Sequence, residues 1–529
     1  MIAVLAGLAV HTPAAAQDIE IAALRSGRRL PAEYYEQVRR NPAFYELSRG
    51  WSARTRAVTP AARPAVQGML PLVVVNALFA DSRVPVFTEA DIQTRFFDGP
   101  SPFGTLTEFY AEDSGNRLLI DGHALPWVRT SLTRDSVVGT SFGLGIGTGL
   151  GAYLVEALTR ADSATDFAAF DNDGPDNIPN SGDDDGFVDA LAFHFAEIAA
   201  SCGGNGIWPH RSTIQARTGR PFVTNDSSAA GGTIRIDGYI IQSVVTCDGQ
   251  DLARPAVMAH EMGHVLGLPD YYDASAGIQP EQRRWVLGCW SLMAAGAWGC
   301  GAVDRNTADR PTHLGVWEKR RLGWLDSIVT VGPVLDRTFQ LRPILTGRRA
   351  LQLPLDGPNE FLLLEYRTLD GFDDGLPAAG LLAYHIQPSL PLRPCSSCAR
   401  RYRVALIEAD GNGGLLKPGT AGGNRGEPGD AFQTGAGLAT GTSPALRLNN
   451  GAPSPVTIHR VTVTDSVVTV VVSTREIELD RLLGTFLQTA APALTAEETT
   501  VLDRYGNANG TFDLGDVRRY LRDHPPRRP

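Results

Sequence analysis

At 529 residues the chain is too long for one hydrophobic core, which implies about two to four domains. Hydrophobic residues make up 43% and charged residues 20%, with 8 Trp and 20 Phe, so a wholly disordered protein is excluded. Asp+Glu 58 against Lys+Arg 48 leaves a net charge of −10, which excludes a surface built to attract nucleic acid or anionic membrane.

In chain order, the apolar run from Ile2 to Val10 is followed by Ala14-Ala15-Ala16. This is a short hydrophobic region with a small-residue cleavage site, so residues 1–16 read as a signal peptide and the protein as secreted. Elsewhere no uninterrupted apolar segment approaches about 18 residues, so no membrane span is expected. Residues 17–65 are charged and helical in pattern, either a propeptide or an N-terminal arm. Met69 to Phe79 (MLPLVVVNALF) reads as a buried central strand. It opens a mixed α/β region over 66–327, with an acidic loop at 171–189 and a helix around 252–266. From 328 to 475 short apolar runs alternate with Gly/Pro turns, as in a β-sandwich. Within it, 411–453 reads as a long, poorly ordered loop. Residues 476–529 are helical and contain a small acidic loop. The fold class expected is therefore α+β.

The informative stretch is Ala259-His260-Glu261-Met262-Gly263-His264-Val265-Leu266-Gly267-Leu268-Pro269-Asp270. Histidines at i and i+4 share one helix face and can bind one zinc ion. Glu261 follows the first of them and can act as general base on a zinc-bound water. Gly267 can adopt φ > 0 and turn the chain, so that Asp270 arrives from outside the helix as a third ligand. Asp273 is an alternative at a poorer spacing. Three protein ligands leave the coordination open, as catalysis requires. Downstream, Cys289-Trp-Ser-Leu-Met293 followed by Ala-Ala-Gly resembles the Met-turn beneath the zinc of metzincins. Where some metzincins have an assisting Tyr, two residues after that Met, this chain has Ala295.

These motifs, with the acidic 171–189 loop, Asn205-Gly-Ile-Trp-Pro-His210, Trp317 to Trp324 (WEKRRLGW), Leu364-Glu-Tyr-Arg367 and Gly371-Phe-Asp, resemble secreted metalloproteases of the immune inhibitor A family over roughly residues 65–440. The resemblance implies a zincin fold, one catalytic zinc, structural calcium and endopeptidase activity on protein or peptide substrates. Carried onto this chain, it makes His260, His264 and Asp270 zinc ligands and Glu261 the base. It reaches His210 as well.

Seven Asp fall within residues 171–189 and would repel one another without a cation. Asp/Asn alternating with Gly suits calcium. With the family likeness, Asp171, Asp173, Asp183, Asp185 and Asp189 are the candidate ligands. A second motif, Asp503, Asn507, Asn509, Gly510, Asp513 and Asp516, resembles the calcium loop of dockerins and EF-hands, preceded by a helix starting near Thr495 with Glu498 at capping-box spacing. Among the 6 Cys, Cys289 and Cys300 bracket the Met-turn loop, Cys395 and Cys398 form a short pair, and Cys202 and Cys247 remain for each other.

Two function classes compete. One is a secreted zinc endopeptidase; the other is a catalytically inactive, calcium-stabilised binding or adhesion protein on the same fold. The intact His260, Glu261 and His264 favour the first.

Overall fold

A computed structural model describes residues 30–41, 43–47, 65–273, 282–300, 310–391, 401–489 and 493–524. The apolar, β-branched run forms β1 (Gly68–Leu78), buried from Leu70 onward. It is followed by β2 (Leu118–Ala124), β3 (Val128–Arg129), β4 (Ala190–Phe195), β5 (His210–Thr213), β6 (Phe222–Ser227), β7 (Thr233–Ile236) and β8 (Gly238–Ser243). The main sheet runs β2-β1-β4-β8-β5, with β3 added on β1. β1, β2, β4 and β8 are parallel, and β5 runs antiparallel to β8 at the edge.

Both faces of this sheet are covered, which is why β1 reads as a continuous apolar run rather than an alternating one. Leu70, Leu72 and Val74 point into one cluster with Phe109, Met258 and Met262. Val73, Val75 and Ala77 point into the opposite cluster with Tyr153, Leu154 and Leu158. The helices on the two sides follow from that division. Of those so far, α1 is Ala32–Arg40, α2 Leu106–Ser114, α3 Leu150–Asp162 and α4 Pro255–Val265. α2 begins at a Thr105–Glu108 capping box and ends at Gly115, whose φ of 69° a side-chain-bearing residue would resist. After α4 comes α5 (Val316–Leu322).

The rest of the chain forms β9 (Ser327–Thr330), β10 (Arg337–Leu341), β11 (Arg349–Asp356), β12 (Glu360–Arg367), β13 (Gly380–Ile386), β14 (Val404–Ile407), β15 (Thr457–Val463) and β16 (Val468–Ser473). These make one sheet of order β14-β13-β12-β11-β9 and another of order β10-β16-β15. Leu351, Leu362 and Leu364 bury one face of the first sheet against Val468, Val470 and Val472 of the second. The opposite face, through Phe361, Leu363, Leu382 and Tyr384, joins the cluster that holds α4. The region expected over 328–475 therefore shares its core with the region before it. The long, poorly ordered loop expected at 411–453 is corrected. Phe432 bonds to Leu381 and Leu438 to Ile458 through the backbone, and Phe432, Leu438 and Leu446 are buried.

Three C-terminal helices, α6 (Leu479–Phe486), α7 (Ala496–Tyr505) and α8 (Leu514–Asp523), enclose a small cluster of Leu482, Leu494, Leu502 and Val517. α7 starts at the Thr495–Glu498 capping box that the spacing predicts. Cys202 bonds to Cys247 and Cys289 to Cys300. Cys395 and Cys398 lie outside the described residues, as do residues 1–29 and most of 48–65.

Buried charges lock the five-stranded sheet to the first region. Arg367 on β12 donates twice to Asp373 at 2.8 Å, and also to the Trp290 carbonyl at 3.2 Å. His313 lies 2.9 Å from both Asp373 and Glu112. Burial alone would discharge His313, but these carboxylates outweigh it and raise its pKa from 6.5 to about 9. A histidine shifted upward contributes stability that is complete below its unfolded pKa and lost as pH rises through its folded one. Melting temperature should thus fall between pH 6.5 and about 9, and His313→Gln should flatten that slope. Identical slopes for both proteins in differential scanning calorimetry would contradict the assignment.

Candidate metal centre

α4 begins with Pro255 at its first position, where no intrahelical N–H is needed. Almost every residue of it is buried. Gly267, at φ 85°, turns the chain immediately after the helix. Two things follow from that turn. The Leu268 carbonyl comes back to accept from His264 Nδ1 at 2.8 Å, and Asp270 is delivered beside the histidines. His260 Nδ1 bonds in the same way to the Leu292 carbonyl at 2.9 Å. A carbonyl only accepts, so both Nδ1 atoms carry the proton and both Nε2 atoms present lone pairs. That is the tautomer of a metal ligand, set by backbone in both rings.

The three donor atoms converge. His260 Nε2 is 3.2 Å from His264 Nε2 and 3.1 Å from Asp270 Oδ1, and His264 Nε2 is 3.4 Å from the same oxygen. A tetrahedral zinc site with bonds of about 2.0–2.1 Å has edges of about 3.3 Å, so the spacing fits zinc. Asp273, the alternative third ligand, is turned elsewhere: its carboxylate takes Arg284 at 3.0 Å and the Tyr402 hydroxyl at 2.6 Å.

Glu261 projects from the same helix, and its Oε2 accepts from Arg211 Nη1 at 2.8 Å. Arg211 sits on the edge strand β5, and both groups are buried. Beneath α4, Met293 fills the space over Gly263, where an added Cβ would lie 2.3 Å from its sulfur. Met293 O also accepts from Tyr271 N at 2.8 Å, and Trp298 packs edge-on to the His260 ring at 4.4 Å. The Cys289–Cys300 disulfide closes this segment. Ala295 is buried in it and brings no hydroxyl.

His210 does not join the site. Its ring bonds to the Trp208 carbonyl at 2.6 Å and the Tyr239 hydroxyl at 3.0 Å, and burial pushes its pKa well below 6.5. His194 is likewise buried, beside Gln242. His385 pairs with Glu360, and His459 with Ser473.

In the 171–189 loop, Asp171, Asp173 and Asp184 bring carboxylate oxygens within 4.8 Å of one another. Of the candidates read from the sequence, Asp171 and Asp173 belong to this group, while Asp183, Asp185 and Asp189 do not. Asp184, which the sequence reading passed over, is buried and accepts from Ser181 N at 2.7 Å. Asp183 is exposed and turned to the Ser181 hydroxyl, and Asp185 is exposed as well. Asp189 accepts from Asn172 N at 2.9 Å. Burial, then the neighbouring Asp184, Asp185 and Asp173, raise the pKa of Asp171 to about 7.

The C-terminal loop is arranged differently. Asn507 and Asn509 aim their amide NH2 groups at Asp513, at 2.9 and 2.7 Å. Asp513 and Asp516 cap the start of α8, and Asp503 accepts from Gly510 N. No group of three carboxylates converges here among the described residues. Asp503, Asn507, Asn509, Asp513 and Asp516, expected as calcium ligands, here hydrogen-bond within the loop.

The stretch that carries this site is similar to known proteins. Residues 91–325 match the immune inhibitor A peptidase M6 catalytic domain. That span contains α4, Arg211, Asp270 and Met293. Over 243 residues the chain is 28% identical to the pre-pro-metalloprotease PrtV of two Vibrio cholerae O1 strains, covering 43% of this chain and 24% of the relative. It is 28% identical over 260 residues to immune inhibitor A of Bacillus thuringiensis subsp. alesti, covering 44% of this chain and 34% of that protein. The match thus spans about a quarter to a third of the length of these relatives. The matched region is thus similar to a peptidase catalytic domain, and the relatives it resembles carry metalloprotease and immune inhibitor A names.

Arg211 escaped the sequence reading because an ion pair across 50 residues leaves no spacing pattern. Arg367 and Asp373 lie in motifs that carry the family resemblance, but only the structure gives them partners.

Proposed function

We propose that the protein is a secreted zinc endopeptidase, with His260, His264 and Asp270 as ligands and Glu261 as general base. One observation carries the reading: two Nε2 lone pairs and a carboxylate oxygen converge at 3.1–3.4 Å, beside a second carboxylate that is not part of the set. Zinc held there supplies Lewis acidity toward a water and the scissile carbonyl. Glu261 takes the proton of the attacking water and returns it to the leaving amine. Arg211 holds the Glu261 carboxylate in place for both transfers. The leader-like residues 1–16 and the two disulfides support export. Phe44 O accepts from Ser212 Oγ and Tyr45 packs against His210, so this part of the propeptide or N-terminal arm lies against β5. Casein hydrolysis that stops with phenanthroline and returns with added zinc is the expected result. Hydrolysis indifferent to the chelator would overturn the proposal.

We also propose calcium at Asp171, Asp173 and Asp184. With Asp171 raised to about 7, its ionisation costs stability as pH climbs from 3.8, and a bound cation offsets that cost. A native-state ligand at a hundredfold excess over Kd adds about 2.7 kcal/mol. Calcium should therefore raise the melting temperature of chelator-treated protein at pH 8, and Asp171→Asn with Asp184→Asn should abolish most of this loop's share. An unchanged shift in the double variant would contradict the site.

A further inference from the structure

A third acidic cluster lies outside both of these sites. β14 runs directly into Glu408, and the following loop returns at Glu427 and Asp430. Ala409 N bonds to Asp430 O and Asp410 N to Gly429 O, each at 3.0 Å, which aligns the two segments. As a result Glu408, Asp410, Glu427 and Asp430 bring carboxylate oxygens within 4.8 Å of one another. Gly429 permits this approach, since a Cβ there would lie 2.3 Å from Asp410 Oδ2.

The inner pair carries the argument. Glu408 is 4% exposed and Asp430 0%, yet among the described residues Glu408 Oε2 and Asp430 Oδ1 have no hydrogen-bond partner. Their other oxygens are satisfied: Glu408 Oε1 by Leu415 N at 3.1 Å, and Asp430 Oδ2 by Trp290 Nε1 at 2.7 Å and Glu427 N at 2.9 Å. The outer pair is bridged by the Asn412 amide, which donates to Asp410 Oδ2 at 2.9 Å and to Glu427 Oε1. The charges acting on Glu408 and Asp430 are other carboxylates, which raise the two to about 8 and about 6 after burial has done most of the shift. A buried, unpartnered carboxylate oxygen facing more negative charge is costly unless a cation completes it. All donors are oxygen, with no His or Cys in the group, which points to a hard dication. Carboxylates set on irregular loops suit the variable coordination of calcium better than the strict octahedron of magnesium.

We propose that Glu408, Asp410, Glu427 and Asp430 form a calcium site that fastens this loop to the floor of the candidate zinc centre. The fastening is direct. Trp290 of the floor donates to Asp430, Cys289 N donates to Arg425 O at 2.6 Å, and Val286 N donates to Leu415 O at 3.0 Å. The same floor supplies the Leu292 carbonyl that orients His260.

The test uses the full chain in an Asp171→Asn, Asp184→Asn background, freed of metal with a chelator. Terbium should luminesce under indole excitation, because Trp290 lies against the site, and calcium should quench that emission by competition. Calorimetry should show one calcium per chain. Glu408→Gln should abolish both signals. Asp410→Asn, at an exposed position that should leave the fold intact, should weaken calcium at least about tenfold. Calcium binding unchanged in both variants would overturn the proposal, as would magnesium competing as well as calcium. These readouts do not involve peptide hydrolysis, so they stand apart from the zinc assignment.

Discussion

Replacing Glu261 by Ala should lower the rate of peptide hydrolysis by roughly 10²–10⁴-fold, the usual contribution of a positioned general base. Zinc should remain, because Glu261 is not in the convergent donor set. The fold should remain too, since Arg211 keeps Asp270, 4.0 Å away, as a neighbouring carboxylate. Glu261→Gln should behave in the same way, as an amide keeps the shape but cannot take a proton. Arg211→Ala should cost less and should appear in kcat rather than KM, as expected of a residue that acts through the proposed base. Steady-state kinetics on a quenched peptide separates these cases. Near-normal turnover in Glu261→Ala would remove the base from the account.

The largest stability effect is expected at Arg367. It is fully buried, holds Asp373 by two 2.8 Å bonds, and also braces the Trp290 carbonyl. Arg367 is the main group holding the Asp373 carboxyl far below the ordinary range against the opposing effect of burial, and His313 is the next. Arg367→Ala would leave that carboxylate buried with His313 as its remaining cation, at a cost of about 3–5 kcal/mol. Denaturant unfolding should show a lower midpoint at neutral pH. Arg367→Met combined with Asp373→Leu should recover part of the loss, because Asp373 is no longer stranded while Glu365, 3.4 Å from Arg367 and equally buried, still loses its cation. A loss below about 1 kcal/mol in the single variant would contradict a structural role for the pair.

Local chemistry was legible in the sequence and remote pairing was not. The i, i+4 histidines, the turn at Gly267 and the strand at β1 each follow from periodicity or glycine conformation within a dozen residues. The Thr495–Glu498 cap was legible for the same reason. Spacing alone does not separate Asp270 from Asp273; what distinguishes them is where Arg284 and Tyr402 stand. In the 171–189 loop the composition raises the expectation of a cation, but which carboxylates turn inward depends on backbone donors such as Ser181 N. The 411–453 stretch looked disordered because Gly, Asn and Pro dominate it. Its order comes from Phe432, Leu438 and Leu446, three well-spaced apolar anchors whose partners lie on other strands. Arg211 and the Glu408 cluster are tertiary products, invisible to any local pattern.

Zinc content per chain, measured by mass spectrometry on purified wild type, His264→Ala and Asp270→Asn, tests the central claim most directly. The account predicts one zinc in wild type, almost none in His264→Ala, and a weakened, readily chelated zinc in Asp270→Asn, since a neutral amide is a poorer ligand than a carboxylate. Full zinc occupancy in His264→Ala, or wild-type protein that hydrolyses peptides with no zinc bound, would contradict it.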